Sequence, residues 1–151
     1  MEKIKGFTLI EMLVAIAIIV ILASVALYSV TKYIDKGRDA TIKGRLVTLV
    51  TAGELWYDRN NSSYANFCDP NLSIAVKIVW DEIPSATADK HCNIKITNNV
   101  GVAWAACARF FVYPDKAFCV DNKGNQKEIN NSDCTVATTN CCFAGVANCI
   151  P

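Results

Sequence analysis

Two features of this 151-residue chain could do chemistry: eight cysteines, all beyond residue 60, and one acid set at the edge of a long apolar run. The cysteines are Cys68, Cys92, Cys107, Cys119, Cys134, Cys141, Cys142 and Cys149. At that density, in a small region after a membrane-length segment, they are expected to form disulfides in an oxidising compartment. Zinc is the competing chemistry. It is disfavoured because no Cys-x-x-Cys occurs and His91 is the single histidine, short of the usual ligand spacing. Spacing does not choose among the possible pairings. Cys68 and Cys92 could tie the segment after the first helix to a sheet. Cys107 and Cys119 could bridge the hairpin they flank, or neighbouring strands. Cys141 and Cys142 are expected to take different partners, since a bridge between neighbours is strained.

The acid is Glu11. It is followed by Met12 to Val30, 19 residues without charge, Gly or Pro. As a helix this stretch spans about 28 Å, close to the thickness of a bilayer core. A carboxylate at the edge of such a run costs a few kcal/mol unless it is paired or lies at the interface. No other catalytic setting is visible. One histidine, with no Ser/His/Asp arrangement or carboxylate pair, argues against an enzyme. No cofactor or metal is expected. The net charge of +1 does not argue for nucleic acid as a partner. Asp121, Asn122, Gly124 and Asn125 have the composition of a calcium loop, but a plain turn is the favoured reading. Trp56, Trp80 and Trp104 are expected in the core. Asn-x-Ser at Asn60, Asn61, Asn71 and Asn130 is attributed to the Asn-rich composition of loops.

The elements that position these residues follow from periodicity. Beyond the apolar run, Ile34, Ile42, Leu46, Leu49, Val50, Gly53 and Trp56 recur at helical spacing, with Tyr57 beside them. Lys36, Asp39, Lys43, Arg45, Glu54 and Asp58 lie mostly off that face. The pattern predicts one helix from Phe7 to about Asn60, stopped by Asn60 to Ser63. Gly37, Gly44 and Gly53 weaken it unless close packing or a bend requires them. Next, Ser73 to Trp80 fits a strand or a short helix, and Asn93 to Thr97 fits a strand. Val102 to Tyr113 is apolar and aromatic, followed by a turn at Pro114 to Lys116. Ala117 to Asp121 and Asn125 to Ile129 read as further strands of an antiparallel meander, joined by the turn Asn122-Lys123-Gly124.

The opening residues carry a resemblance. Lys5-Gly6-Phe7-Thr8-Leu9-Ile10-Glu11-Met12, directly before a hydrophobic helix, resembles the prepilin motif of type IV pilins and type II secretion pseudopilins. The likeness extends through about the first 60 residues. It implies cleavage after Gly6 by a membrane-embedded prepilin peptidase and N-methylation of Phe7. It also implies that Glu11 pairs with the Phe7 amine of a neighbouring subunit during assembly. The physical reason is mutual: an ammonium and a carboxylate in apolar surroundings are each costly alone, and pairing removes both penalties. At Tyr28 the chain departs from many members, which carry a helix-breaking proline there. Basic residues after the apolar run (Lys32, Lys36, Arg38, Lys43, Arg45) outnumber Lys3 and Lys5 before it, so a charge count alone would place the cysteine domain in the cytoplasm. Disulfides and leader processing both require it outside.

The expected organisation is a leader (1–6), a transmembrane and assembly half-helix (7–30), an amphipathic half-helix (31–60) and a cysteine-rich globular β domain (61–151). The fold class is α+β, a long N-terminal helix packed on a small antiparallel sheet. The resemblance implies a pilin: a homo-oligomeric helical filament, drawn from the cytoplasmic membrane into an extracellular pilus by an assembly platform and ATPase. A secretion pseudopilin or minor pilin is the nearest alternative. A membrane-tethered adhesin or binding module is the alternative of another class.

Overall fold

The computed structural model describes residues 6–84, 89–135 and 141. Helix α1 runs Leu9–Arg59 and the chain divides into two compact units, Met1–Asp35 and Lys36–Pro151. In the first unit every described side chain from Gly6 to Ile34 is exposed. Ile34, expected on the packed face, is 50% exposed and belongs to this solvent-facing part. By length and composition α1 is apolar enough to cross a membrane.

The second unit begins with the rest of α1. Ile42, Leu46 and Leu49 are fully buried, and their spacing of four and three residues puts them on one stripe. Each such side chain contributes about 1.5–3 kcal/mol by leaving water. The helix stops where Asn61 and Ser62 adopt positive φ, as the Asn-rich stop predicts. Ser73 then caps helix α2, Ile74–Glu82, by accepting a hydrogen bond from the Val76 amide. This decides between strand and helix for that stretch: Val76, Val79 and Ile83 form the buried side, a helical spacing rather than an alternating one.

Four strands follow, β1 (Lys90–Thr97), β2 (Val100–Arg109), β3 (Lys116–Asp121) and β4 (Gln126–Asn130), in the order β1-β2-β3-β4. All pairs are antiparallel, so the expected meander holds. Asn98 and Asn99, both at positive φ, make the tight β1–β2 turn that suits a two-residue hairpin. Gly101 is required by its surroundings: a β-carbon there would collide with the backbone of Tyr64 and Ala65. That close approach lets Tyr64 N donate to Gly101 O at 2.9 Å, and Gly101 N to Ser63 Oγ at 3.0 Å.

Strand alternation builds two cores. Trp104, Ala106, Ala108, Phe118 and Val120 join Ile42, Leu46 and Leu49 in the larger one. Ala105, Cys107, Ala117, Cys119 and Ile129 face the other way and cluster with Cys134 and Cys141. Successive side chains point to opposite faces, so the helix covers one face, and Cys134 and Cys141, beyond β4, pack against the other. Burial on both faces explains why β2 and β3 read as continuous apolar runs.

Three disulfides fasten this arrangement: Cys68–Cys92, Cys107–Cys134 and Cys119–Cys141. The first ties the segment after α1 to the sheet, as expected. A bridge between Cys107 and Cys119 does not form. The two stand directly opposite one another on β2 and β3, where facing β-carbons lie about 4.5–5.5 Å apart, wider than the ~3.8 Å a disulfide prefers. Each instead captures a cysteine beyond β4. Cys142 and Cys149 lie outside the described residues.

Candidate assembly site and the head that supports it

At the start of α1 the side chains of Thr8 and Glu11 bind each other's backbone. Glu11 Oε2 accepts from Thr8 N and from Thr8 Oγ1, both at 2.8 Å, and Glu11 N donates to Thr8 Oγ1 at 3.4 Å. Thr8 is therefore the N-cap and Glu11 the third helical residue of a capping box. The carboxylate also faces the positive end of the helix dipole. The spacing Thr-Leu-Ile-Glu carries this signature, so the box is legible in the sequence alongside the assembly reading. Among the described residues no hydrogen bond reaches Glu11 Oε1. Gly6 and Phe7 precede the cap, and Phe7 is 74% exposed.

In the second unit, charged residues at the flanks of the buried stripe bind α1 to the head. Both oxygens of Asp39 accept from the loop after β2, from Phe111 N at 2.6 Å and Val112 N at 3.1 Å. Lys43 pairs with Glu128 of β4 at 2.7 Å and lies over the rings of Phe110 and Phe118. Arg45 reaches Glu82 at 3.0 Å. Glu54 accepts from Tyr64 Oη at 2.9 Å. Burial and this bond to Glu54 push the Tyr64 hydroxyl up to about 12. Periodicity shows these residues only as lying off the apolar face, so their partners are not readable from it. Lys90 donates to Trp80 O of α2 and to Ile83 O at its C-cap. Burial lowers its pKa, and Asp81 opposes that shift.

The turn between β3 and β4 organises itself around Asp121, which is almost fully buried. Its Oδ1 accepts from Lys123 N, Asn125 N and Asn125 Nδ2, and its Oδ2 from Asn125 Nδ2 and Cys141 N. The carboxylate thus serves the turn and the chain beyond β4. Among the described residues no group of His, Cys, Asp and Glu is disposed to hold a metal ion.

The Glu11 motif and the head stand beside two findings from known proteins. The family of the prokaryotic N-terminal methylation motif matches residues 1–27. The type IV wide pilus major component PilA4 of Thermus thermophilus is 33% identical over 120 residues, covering 77% of this chain and 86% of the relative. No solved structure matches the chain. That identity and that motif, with a long N-terminal helix whose first part is apolar, and with a four-stranded antiparallel sheet and disulfides in the second unit, establish that this chain belongs to the type IV pilin family.

Proposed function

We propose that the chain is a major subunit of an extracellular type IV pilus, cut after Gly6, methylated on Phe7 and polymerised through residues 7–30. Before assembly it crosses the cytoplasmic membrane once, with the cysteine domain outside. Prepilin peptidase, an assembly platform and an ATPase are its partners, and its role is structural rather than catalytic. The observation that carries this reading is the exposed apolar segment headed by the Thr8–Glu11 box. Side chains so apolar require lipid or other protein around them. The relative that covers most of the chain is itself named a major pilus component.

In this reading Glu11 has two tasks. Oε2 caps its own helix, while Oε1 is left to accept from the Phe7 ammonium of the adjacent subunit. Cleavage creates that ammonium at the positive end of a helix, where a cation is unfavourable. A neighbour's carboxylate offsets this only at the correct stagger, so the pair selects register. A heterologous contact of this kind repeats without closing and gives a fibre.

The test is mass spectrometry of the protein in sheared fibres, with Glu11→Ala and Glu11→Gln variants alongside. The expected result is a chain beginning at N-methylated Phe7, with fibres lost in both variants while the membrane pool persists. A surface protein that keeps residues 1–6 and never forms fibres overturns the proposal.

A further inference from the structure

The second unit carries two exposed features, an apolar groove with a base and an aromatic loop with an acid. One is a groove of about 270 Å³ between α1 and α2, lined by Ala52, Leu55, Trp56, Leu72 and Ile74, with Arg59 at its rim. Leu55, Leu72 and Ile74 are 53%, 57% and 74% exposed, an apolar patch of the kind that marks an interaction site. The other is the loop Tyr113-Pro114-Asp115 between β2 and β3, where Tyr113 is 61% exposed and Asp115 faces solvent. Asp39 holds the loop by Phe111 N and Val112 N, Phe110 N donates to Lys116 O, and Asn131 N donates to Asp115 O. The aromatic ring is therefore presented on a fixed support, which lowers the ordering cost of binding.

From these we infer that Tyr113 of one copy seats in the α1–α2 groove of a second copy, with Asp115 meeting Arg59. The inference rests on the filament reading above. A fibre needs two different patches on each subunit, and these two differ in the required sense: an aromatic anchor with an acid, and an apolar groove with a base. Buried tyrosines are frequent interface anchors, and charge complementarity at the rim sets register and suppresses wrong pairings. The levels are also informative. The loop is fastened to α1 at Asp39 and the groove lies around Leu55, so 16 residues of helix, about 24 Å, separate them along the axis. The contact therefore joins copies staggered lengthwise rather than side by side.

The test uses the full chain in cells that make the fibres. A benzophenone amino acid replaces Tyr113, fibres are sheared and irradiated, and the cross-linked peptide is mapped. The expected cross-link joins position 113 to a peptide containing Leu55 or Leu72 of another copy. In parallel, Arg59→Asp and Asp115→Arg are each expected to reduce sheared fibre about tenfold, since like charges facing one another at an interface are costly. The two together restore it to near the wild-type yield, a rescue that a folding defect would not produce. Fibres whose cross-links fall elsewhere, with no rescue by the double reversal, overturn this inference alone. Wild-type cells that shed no fibre overturn the filament reading, and this inference with it.

Discussion

Trp104 packs its indole against the α-carbon of Gly53, so closely that a β-carbon at position 53 would stand 2.6 Å from Nε1. Among the described residues the same buried Nε1 has no hydrogen-bond partner. Of the three helix glycines, Gly37 and Gly44 have open space around them, so Gly53 is the one that close packing requires. Gly53→Ala sets two effects against each other. Alanine improves helix propensity by about 1 kcal/mol, while overpacking costs about 1–3 kcal/mol. Backbone and indole are both held by the core, so overpacking is expected to win. In Trp104→Phe, which shortens the ring and removes the unpaired N–H, the same change should be milder. Thermal unfolding of the full chain in detergent, followed by near-ultraviolet circular dichroism, checks a coupling of about 1–2 kcal/mol between the two sites. Strictly additive effects would refute the contact.

The disulfide map is the second prediction. Non-reducing peptide mapping should recover Cys68–Cys92, Cys107–Cys134 and Cys119–Cys141. It should recover no peptide joining Cys107 to Cys119. We propose that the remaining cysteines, Cys142 and Cys149, are also oxidised. The intact protein should then gain about eight mass units on full reduction, and a smaller gain would count against a fourth bridge.

Tyr64 supplies a pH dependence. Its folded pKa, about 12, lies above the ordinary value near 10. The neutral hydroxyl is therefore favoured by folding. That stabilisation is complete below about pH 10 and is lost as pH rises toward 12. Unfolding midpoints recorded from pH 8 to 12 should fall in the last two units for the wild type. In Tyr64→Phe, lower in stability at pH 8 by about 1 kcal/mol for the lost hydrogen bond, that alkaline decline should be weaker. Parallel curves for the two proteins would exclude the assignment.

Asp39 is predicted to be the clasp between α1 and the loop after β2. Asp39→Ala leaves the amides of Phe111 and Val112 without their acceptor, at about 1–3 kcal/mol. The loss is local, because Ile42 and Leu46 still hold the helix on the sheet. Hydrogen exchange should accelerate at Phe111 and Val112 while Trp104 and Val120 keep their protection. Uniform acceleration across the sheet would mean that Asp39 supports the whole head.

The local patterns of this sequence were sufficient for its long helix, its Asn-rich stop, its meander and its family. Each depends on neighbours a few residues apart: the 3.6-residue stripe through Ile42, Leu46 and Leu49, the alternation in Ile94 to Ile96, the uncharged run from Met12, the motif around Glu11. The stripe stops short of Ile34, whose side chain is 50% exposed. Only tertiary structure decided how the cysteines pair, since Cys107 and Cys119 become partners or strangers according to strand register and the course of the chain beyond β4. It also decided that Asp39 and Asp121 are acceptors for distant amides and that Gly53 alone among the helix glycines lies against an indole. Such roles depend on which groups approach through space across separations that run from 20 residues for Asp121 and Cys141 to 72 for Asp39 and Phe111. No spacing along the sequence encodes that distance.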